Sequence, residues 1–247
     1  MIVVRPVSGL PEITAGDDLA RLILEAGGSP EDGDVVVVSQ KAVSKAEGRT
    51  VELSSVSPGA RANALAAEHG HDPRAVQVVL DESIELLRAE RGVLISRTRQ
   101  GFVCANAGVD ASNAGAEDRL VLLPHDPDGS ARELRTALGR RSGRRPAVVI
   151  ADSFGRTWRH GQCDVAIGCA GLAPLEDWRG RPDADGRELR ATWIAVADQA
   201  AAAADLARDK VSRQPAAIIS GLERHVAPDD GPGAAALVRP PAEDLFR

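Results

Sequence analysis

Two short, uninterrupted apolar runs constrain the fold of this chain more than any other feature. Val35–Val38 follows an Asp-Gly-Asp turn, and Ala147–Ile150 leads directly into an acid and a hydroxyl, Asp152 and Ser153. A run of this length, rich in β-branched residues, is typical of a buried strand. Both runs therefore predict strands, and the second would deliver polar side chains to one end of a sheet.

The other periodic segments alternate between strand and helix patterns. Further strands are predicted at Ile2–Val7, Val93–Ser96, Phe102–Ala105, Leu120–Leu123, Val165–Gly168 and Pro215–Ser220. Helices are predicted from Gly16 to about Gly28 and at Pro58–His69, Pro73–Leu87, Asp128–Arg140 and Glu188–Lys210, the last being the longest, with a further helical turn at Ala234–Val238. Ser39–Gly48 is predicted as a polar loop.

This mixture of hairpins and strand–helix units favours an α+β fold with mixed sheets and flanking helices. A chain of 247 residues can form one large domain or two intimately packed subdomains. The sequence has no fixed-period repeat and no low-complexity linker, so we expect residues 1–247 to form a single domain.

Composition narrows the class of protein. A net charge of -6 argues against a nonspecific nucleic-acid binder, which needs clustered positive charge. No stretch approaches the roughly 20 apolar residues that span a bilayer, and no signal peptide is apparent. The three cysteines lack CxxC spacing, which favours buried free thiols in a reducing cytoplasm. The five histidines are scattered, so a zinc site is not expected.

Two acidic turns are candidates for a metal–phosphate site. One is Asn106–Asn113, which contains Asp110, and the other contains Asp152 and Ser153. Small residues around a carboxylate let the backbone approach a ligand, and hard oxygen donors suit Mg²⁺ or Mn²⁺. Each turn alone has a second interpretation, because an Asp at a strand end also caps turns and helices.

The usual nucleotide motifs are missing from the sequence. It contains no GxxxxGK[ST], no GxGxxG after the first strand and no GxSxG nucleophile elbow. Polar residues instead follow several predicted strands, where open sheets tend to bind ligands. The segments at these strand ends are Leu10–Ile13, Gln40 and Lys41 with Lys45, Asp110 with Asn113, Asp152 with Ser153, and Asp209 with Lys210.

Read in order, several blocks of the sequence closely resemble the coenzyme F420:L-glutamate ligase family. The resemblance extends from about Pro6 to Gly221 and is carried by GLPEI, EDGDVVVVSQKAVSKAEG, NAGVDASN, DPDGSA, ADSFGRTWRHGQCDVAIG and GLAPLEDWRGRPDADGREL. It implies a GTP-dependent ligase that joins L-glutamate to the phospholactyl end of F420-0 and then adds γ-linked glutamates. It also implies Mg²⁺ or Mn²⁺, two ions per subunit, help from K⁺, and an intertwined homodimer. Some bacterial relatives continue into a nitroreductase-like flavin domain, which is not expected here.

The resemblance also assigns positions. Metal ligands fall on Asp110, Asp152, Ser153 and Asp209. Nucleotide contacts fall on Leu10, Pro11, Glu12, Ile13, Gln40, Lys41, Lys45, Asn113, and on Ala207, Arg208, Lys210, Val211, Ser212, Arg213 and Gln214. Relatives often have a glycine-rich segment where this chain has 207–214, which leaves the contacts of that segment open.

The residues themselves suggest the remaining roles. Arg156, Arg159 and Arg179 are candidates for gripping acidic substrates, because guanidinium pairs bidentately with carboxylate or phosphate. For the reaction that the resemblance implies, an acyl-phosphate route is the hypothesis, and it needs no side chain as covalent nucleophile. Two alternatives stay open: a nucleotide- and metal-dependent amide ligase or phosphotransferase with another acceptor, and a non-catalytic binding protein on the same fold.

Overall fold

The computed structural model describes residues 1–112, 114, 118–208 and 211–244. Its strands are β1 Val3–Val7, β2 Val35–Ser39, β3 Thr50–Glu52, β4 Ser83–Glu90, β5 Val93–Thr98, β6 Val103–Ala105, β7 Arg119–Val121, β8 Ala147–Arg156, β9 Arg159–Ala170, β10 Leu175–Asp177, β11 Trp193–Ala195 and β12 Ala216–Ser220. Its α-helices are α1 Leu19–Glu25, α2 Gln40–Ala46, α3 Ala60–His69, α4 Pro73–Asp81, α5 Pro127–Ser142 and α6 Val196–Ala207.

A five-stranded mixed sheet forms the centre of the fold, in the order β1-β12-β2-β8-β9. Strands β2 and β8 run parallel, and the other neighbours are antiparallel. Side chains alternate between the two faces. Val36 and Val38 pack with α1, α2 and α5, while Val35 and Val37 pack with α6. Both apolar runs are fully buried, which confirms the two strands they predict.

Three smaller sheets complete the α+β architecture. Strands β4, β5 and β6 form an antiparallel sheet, and β3–β7 and β10–β11 form two-stranded pairs. Helices α3 and α4 cover the three-stranded sheet, where Ala62, Val76 and Leu94 share one buried cluster. The predicted hairpin of β5 and β6 is confirmed, with Ser96 opposite Cys104. Within the described residues, no helix combines the length and apolar character needed to cross a membrane.

The polar loop predicted at Ser39–Gly48 is wrong, because most of it forms α2. Its buried polar side chains form hydrogen bonds with one another and with the backbone. The amide nitrogen of Gln40 donates to the Ser44 hydroxyl and to the Leu122 carbonyl, each at 2.7 Å. Ala42 and Val43 complete the buried face. The segment is polar in sequence but forms a helix that packs against the core.

Two predicted helices are too long. The helix predicted at Pro73–Leu87 ends at Asp81, and the chain continues as β4, which pairs with β5. The helix predicted at Glu188–Lys210 begins only at Val196, because residues 193–195 form β11 and pair with β10. It is also shorter than α5, which has 16 residues against 12. In both cases pairing between strands overrides local helix propensity.

The strands around the second acidic turn are longer than predicted. Strand β8 continues past Ile150 to Arg156, and β9 begins at Arg159. They form a long hairpin in which Ser153 lies opposite Asp164. Asp152 and Ser153 therefore belong to a strand and not to a turn. Asp110 lies in an extended segment after a short 3-10 turn and bridges Val121.

Candidate functional site

A cavity of about 640 Å³ opens at one end of the central sheet. It lies beside the carboxyl end of β2, against residues 151–153 of β8, and between the segments that follow β1 and precede β12. The predicted site residues that line it are Leu10, Pro11, Glu12, Ile13, Gln40, Lys41, Lys45, Asp152, Ser153, Arg208, Val211, Arg213 and Gln214. Segments distant in sequence thus meet at the sheet edge where ligands are commonly bound.

Other predicted site residues lie elsewhere. Among the described residues, Asp110, Ala207 and Ser212 are outside the cavity lining, although Asp110 contacts Lys41, which lines it. Asn113, Asp209 and Lys210 fall outside the described residues, so their predicted contacts stay predictions.

Two lysines of α2 point toward acidic partners. Lys41 and Lys45 are one helical turn apart, which places both on one face. The Lys41 ammonium lies 2.7 Å from a carboxylate oxygen of Asp110, and the Lys45 ammonium lies 2.5 Å from Glu12. The Lys45 side chain is only 12% exposed. The helix therefore presents two positive charges at the cavity, each already engaged with a carboxylate.

Asp110 is held as an anion. Partial burial by itself would raise its pKa, but hydrogen bonds from the Lys41 ammonium and from the Ser112 backbone N–H outweigh burial. The net effect is a pKa below the ordinary value for Asp. The Ser112 N–H lies 2.6 Å from a carboxylate oxygen, which is the geometry of an Asx turn.

Asp152 has the opposite electrostatic environment. The pKa of Asp152 is raised to about 7, mainly by burial and in smaller part by the nearby carboxylates of Asp164 and Asp110. The Ser153 backbone N–H and the charge of Lys41 partly oppose this shift. Like charges brought together in a cavity destabilise one another, and a bound cation would relieve that repulsion.

Ser153 is tied to a buried ion pair that the sequence did not indicate. Its hydroxyl donates to Asp164 at 2.6 Å, and the second oxygen of Asp164 accepts from the Arg208 guanidinium at 3.0 Å. The Arg208 and Asp164 side chains are 6% and 7% exposed. Burial lowers the pKa of Arg208, and the charges of Asp164 and Asp205 oppose the shift. An arginine stays protonated in such a pair.

The described donors fit a phosphate-assisted metal site more closely than a self-sufficient protein cage. Across the described residues, no three His, Cys, Asp or Glu side chains converge closely enough to hold an ion. Asp152 and Ser153 nevertheless place a carboxylate and a hydroxyl in one cavity, with Asp110 nearby. Mg²⁺ is commonly held by one or two carboxylates together with substrate phosphates and waters. The residues present fit that arrangement.

The three candidate substrate arginines do not line the cavity. Arg156 donates to the His160 carbonyl at 2.6 Å, and Arg159 is exposed beside it at the tip of the β8–β9 hairpin. Arg179 pairs with Asp177 at 2.8 Å and lies 4.1 Å from the centre of the Trp193 ring. Their roles in substrate binding stay predictions.

Sequence reasoning missed Asp164 and Asp205, which also line the cavity. A signal for Asp164 was present. Had β8 and β9 been predicted as one hairpin turning between Arg156 and Arg159, Ser153 and Asp164 would have been expected near each other. Asp205 lies in the last turn of α6, just before the predicted segment 207–214. No feature of the sequence indicated it as a site residue.

The cysteines are free, as predicted. Cys104 and Cys169 are buried, and burial together with nearby carboxylates raises the pKa of each thiol to about 12. Thiols of this kind are poor nucleophiles. Cys163 is only partly buried.

Comparison with known proteins identifies similar chains. The family model described as F420-0:Gamma-glutamyl ligase matches residues 9–221, which include every described residue lining the cavity. The chain is 43% identical to a coenzyme F420:L-glutamate ligase of Methanothermobacter thermautotrophicus, covering 98% of this chain and 97% of that one. It is 42% identical to the protein of the same name from Methanopyrus kandleri, covering 99% and 97%. For that of Haloarcula marismortui the identity is 41%, covering 98% and 94%.

Proposed function

This chain belongs to the F420-0:gamma-glutamyl ligase family, and from that premise we propose that it attaches L-glutamate to coenzyme F420-0 at the expense of GTP. Further γ-linked glutamates follow by the same chemistry. One observation carries the proposal beyond family membership: a single cavity gathers residues 10–13, the two lysines of α2, Asp152 with Ser153, and Val211, Arg213 and Gln214. It combines cationic side chains for phosphates with oxygen donors for a cation.

The proposed reaction has two steps that balance. A carboxylate oxygen of F420-0 attacks the γ-phosphorus of GTP, and the bond to the bridging oxygen breaks, releasing GDP and an acyl phosphate. The amine of glutamate then attacks the acyl carbon, inorganic phosphate leaves, and the amine gives up a proton. Neither step needs a covalent bond to the protein, so positioning and charge neutralisation are its contribution.

The side chains have distinct proposed roles. Lys41 and Lys45 bind the phosphates as point charges. Asp152 and Ser153 hold Mg²⁺ or Mn²⁺, and Asp110 and Asp209 are further proposed ligands. When bound, the cation supplies positive charge that offsets the charge of the β- and γ-phosphates. Residues 10–13 shape the cavity mainly through backbone groups, and Gln40 holds α2 in place through its two buried hydrogen bonds.

Other features of the proposal rest on the resemblance alone. They are a second divalent ion, the help of K⁺, the intertwined homodimer and the choice of GTP over ATP. The candidate arginines Arg156, Arg159 and Arg179 would have to reach the acceptor from outside the cavity.

Mass spectrometry tests the proposal directly. Purified protein is incubated with F420-0, L-glutamate, Mn²⁺ and either GTP or ATP, and the F420-0 mass is followed. We expect additions of glutamate mass with GTP, lost in Asp152→Ala. Asp81→Ala, which removes an exposed carboxylate at the end of α4, is the matched control and should behave as the unaltered protein.

Each outcome identifies which part of the proposal stands. If the protein binds GTP but leaves F420-0 unchanged, the acceptor is wrong and another carboxylate must be sought. If ATP serves as well as GTP, the nucleotide preference is wrong. If neither nucleotide nor Mn²⁺ raises the melting temperature, the cavity is not a nucleotide site, because ligand binding to the folded state must stabilise it.

A further inference from the structure

Asp164 is a buried carboxylate that two other elements of the fold hold in place. It lies on β9 directly opposite Ser153 on β8, so the register of the hairpin brings the two side chains together. Each carboxylate oxygen of Asp164 accepts one hydrogen bond, from the Ser153 hydroxyl at 2.6 Å and from Arg208 at 3.0 Å. A carboxylate buried to this degree is stable only when paired in this way.

Arg208 connects the same carboxylate to the chain that follows α6. One terminal nitrogen donates to Asp164, the other donates to the Pro215 carbonyl at 3.0 Å, and Nε donates to the Ala204 carbonyl at 3.3 Å. The guanidinium thus spans the end of α6, the start of β12 and the β8–β9 hairpin. Its fixed planar geometry restrains the orientation of Asp164.

The hydrogen bond from Ser153 has a chemical consequence. A serine hydroxyl carries one proton and two acceptor lone pairs. When the proton is donated to Asp164, the hydroxyl can offer only lone pairs to another group. It then acts as an oxygen ligand and not as a competing donor, which is what a cation requires.

We propose that Asp164, braced by Arg208, is a positioning residue that holds the Ser153 hydroxyl as a ligand for a divalent cation bound beside Asp152. This inference rests on the metal site of the proposed function. It also links the start of β12 to that site, because the Arg208 guanidinium contacts both the Pro215 carbonyl and Asp164.

A purely structural ion pair would have different consequences. Loss of the pair would then lower stability without changing the affinity for a cation in the protein that remains folded. A positioning role instead predicts weaker cation binding at unchanged fold, because groups that orient metal ligands typically contribute 10- to 100-fold to affinity.

The test is an electron paramagnetic resonance titration of Mn²⁺ into the full-length protein, with and without a nonhydrolysable GTP analogue. We expect Asp164→Asn to weaken Mn²⁺ binding at least tenfold. An amide has a single acceptor oxygen for two donors, and its NH₂ group can donate to Ser153 and occupy a lone pair. Asp198→Asn is the matched control: this carboxylate of α6 accepts from the Ala166 N–H at 2.9 Å, two residues along β9, and is outside the cavity lining.

A double mutant shows whether Asp164 acts through Ser153. If it does, Asp164→Asn combined with Ser153→Ala should bind Mn²⁺ no more weakly than Ser153→Ala alone. Additive losses, or an unchanged Mn²⁺ affinity in Asp164→Asn, would overturn the inference. If Asp164→Asn gives no cooperative melting transition, Asp164→Glu replaces it, since it keeps the charge paired but moves the carboxylate by one methylene. An unchanged Mn²⁺ affinity in Asp164→Glu would also contradict the positioning role.

The two proposals fail in distinguishable ways. Should the unaltered protein bind Mn²⁺ but leave F420-0 unmodified by mass spectrometry, the proposed reaction falls while the Mn²⁺ affinities still decide the role of Asp164. Should F420-0 be modified normally by Asp164→Asn with unchanged Mn²⁺ affinity, the reaction stands and the positioning role falls.

Discussion

The Lys41 ammonium lies 2.7 Å from a carboxylate oxygen of Asp110 and so joins the first turn of α2 to the chain that follows β6. The same ammonium lies 2.7 Å from the Ser112 hydroxyl. This contact connects the three-stranded sheet to the edge of the cavity in the central sheet. It also places a positive charge between two elements that the proposed site needs, the cavity and the nearby carboxylate.

Replacement of Lys41 by Met should weaken GTP binding about tenfold. A hydrogen bond from a charged donor contributes about 1.5–3 kcal/mol, and about 1.4 kcal/mol corresponds to a factor of ten. Isothermal titration calorimetry with GTP in the presence of Mn²⁺ measures the change. Arg21→Met, which removes an exposed cation paired with Glu25 on α1, is the control and should leave the affinity unchanged. Equal GTP affinities in both variants would remove Lys41 from the nucleotide site.

The pair of Glu12 and Lys45 predicts effects of opposite sign. Lys45 must release Glu12 to hold a phosphate, because its ammonium is engaged at 2.5 Å. Glu12→Gln should therefore tighten GTP binding by a small factor, because the Glu12 side chain is largely exposed and a pair with an exposed partner contributes roughly 0–1 kcal/mol. Lys45→Met should weaken GTP binding. The same calorimetric titration separates the alternatives, since weaker binding in Glu12→Gln would mean that the Glu12 side chain contacts the nucleotide itself.

The two central strands could be predicted because the apolar run that buries each of them is continuous in the sequence. Val35–Val38 and Ala147–Ile150 are apolar at every position, which is the pattern of strands covered on both faces. The hairpin of β5 and β6 could also be predicted from the sequence, because its turn lies near Gly101. Helix α2 could not, because Gln40 and Ser44 are polar and become buried only by bonding to each other and to the Leu122 carbonyl.

The candidate site was predictable in part for a related reason. Asp152 and Ser153 were marked by the abrupt end of an apolar run, and the lysines of α2 by the family resemblance. Asp164 was missed because its partner is set by the register of a hairpin whose strands were predicted too short. The contacts of Arg208 depend on three elements meeting in space. No local pattern contains that information.

Asp198 should make stability depend on pH. Burial raises its pKa, and the hydrogen bond from the Ala166 N–H only partly offsets this. A carboxyl whose pKa is raised by folding contributes stability below its unfolded pKa of about 3.9 and loses that contribution as pH rises through the folded pKa. The charges of Asp198 and Asp128 both raise the pKa of the buried Cys169 thiol.

The Asn variant at that position removes this titration. The stability of Asp198→Asn relative to the unaltered protein should therefore increase as pH rises above the unfolded pKa of about 3.9, as measured by urea denaturation at each pH. Asp32→Asn is the comparison: hydrogen bonding from the Arg145 backbone N–H lowers the pKa of this exposed carboxyl, so its titration acts in the opposite direction. A difference for Asp198→Asn that is flat with pH, or that declines as pH rises, would contradict the assignment.

Arg135 is the buried cation that ties the C-terminal segment to α5, and its loss should be costly. The side chain is 1% exposed, bonds to the carbonyls of Ala227 and Asp229, and pairs with Asp230 at 2.6 Å. Its loss leaves two carbonyls and the Asp230 carboxylate without their donor, and each hydrogen bond to a charged group contributes about 1.5–3 kcal/mol. For a chain of this length, we expect Arg135→Met to lower the melting temperature by roughly 10 °C. Arg132→Met, at a partly exposed position of the same helix, should have little effect.

Gly171 provides an independent check on the same contact. Its φ is +72°, and a Cβ there would lie 2.3 Å from Nε of Arg135. Gly171→Ala should therefore destabilise the protein through both backbone strain and collision with the guanidinium. Only the collision depends on Arg135, so the two substitutions combined should cost less than the sum of their separate effects. Calorimetric melting of the two single variants and the double variant measures this coupling, and strict additivity would mean that the guanidinium does not occupy the space beside Gly171.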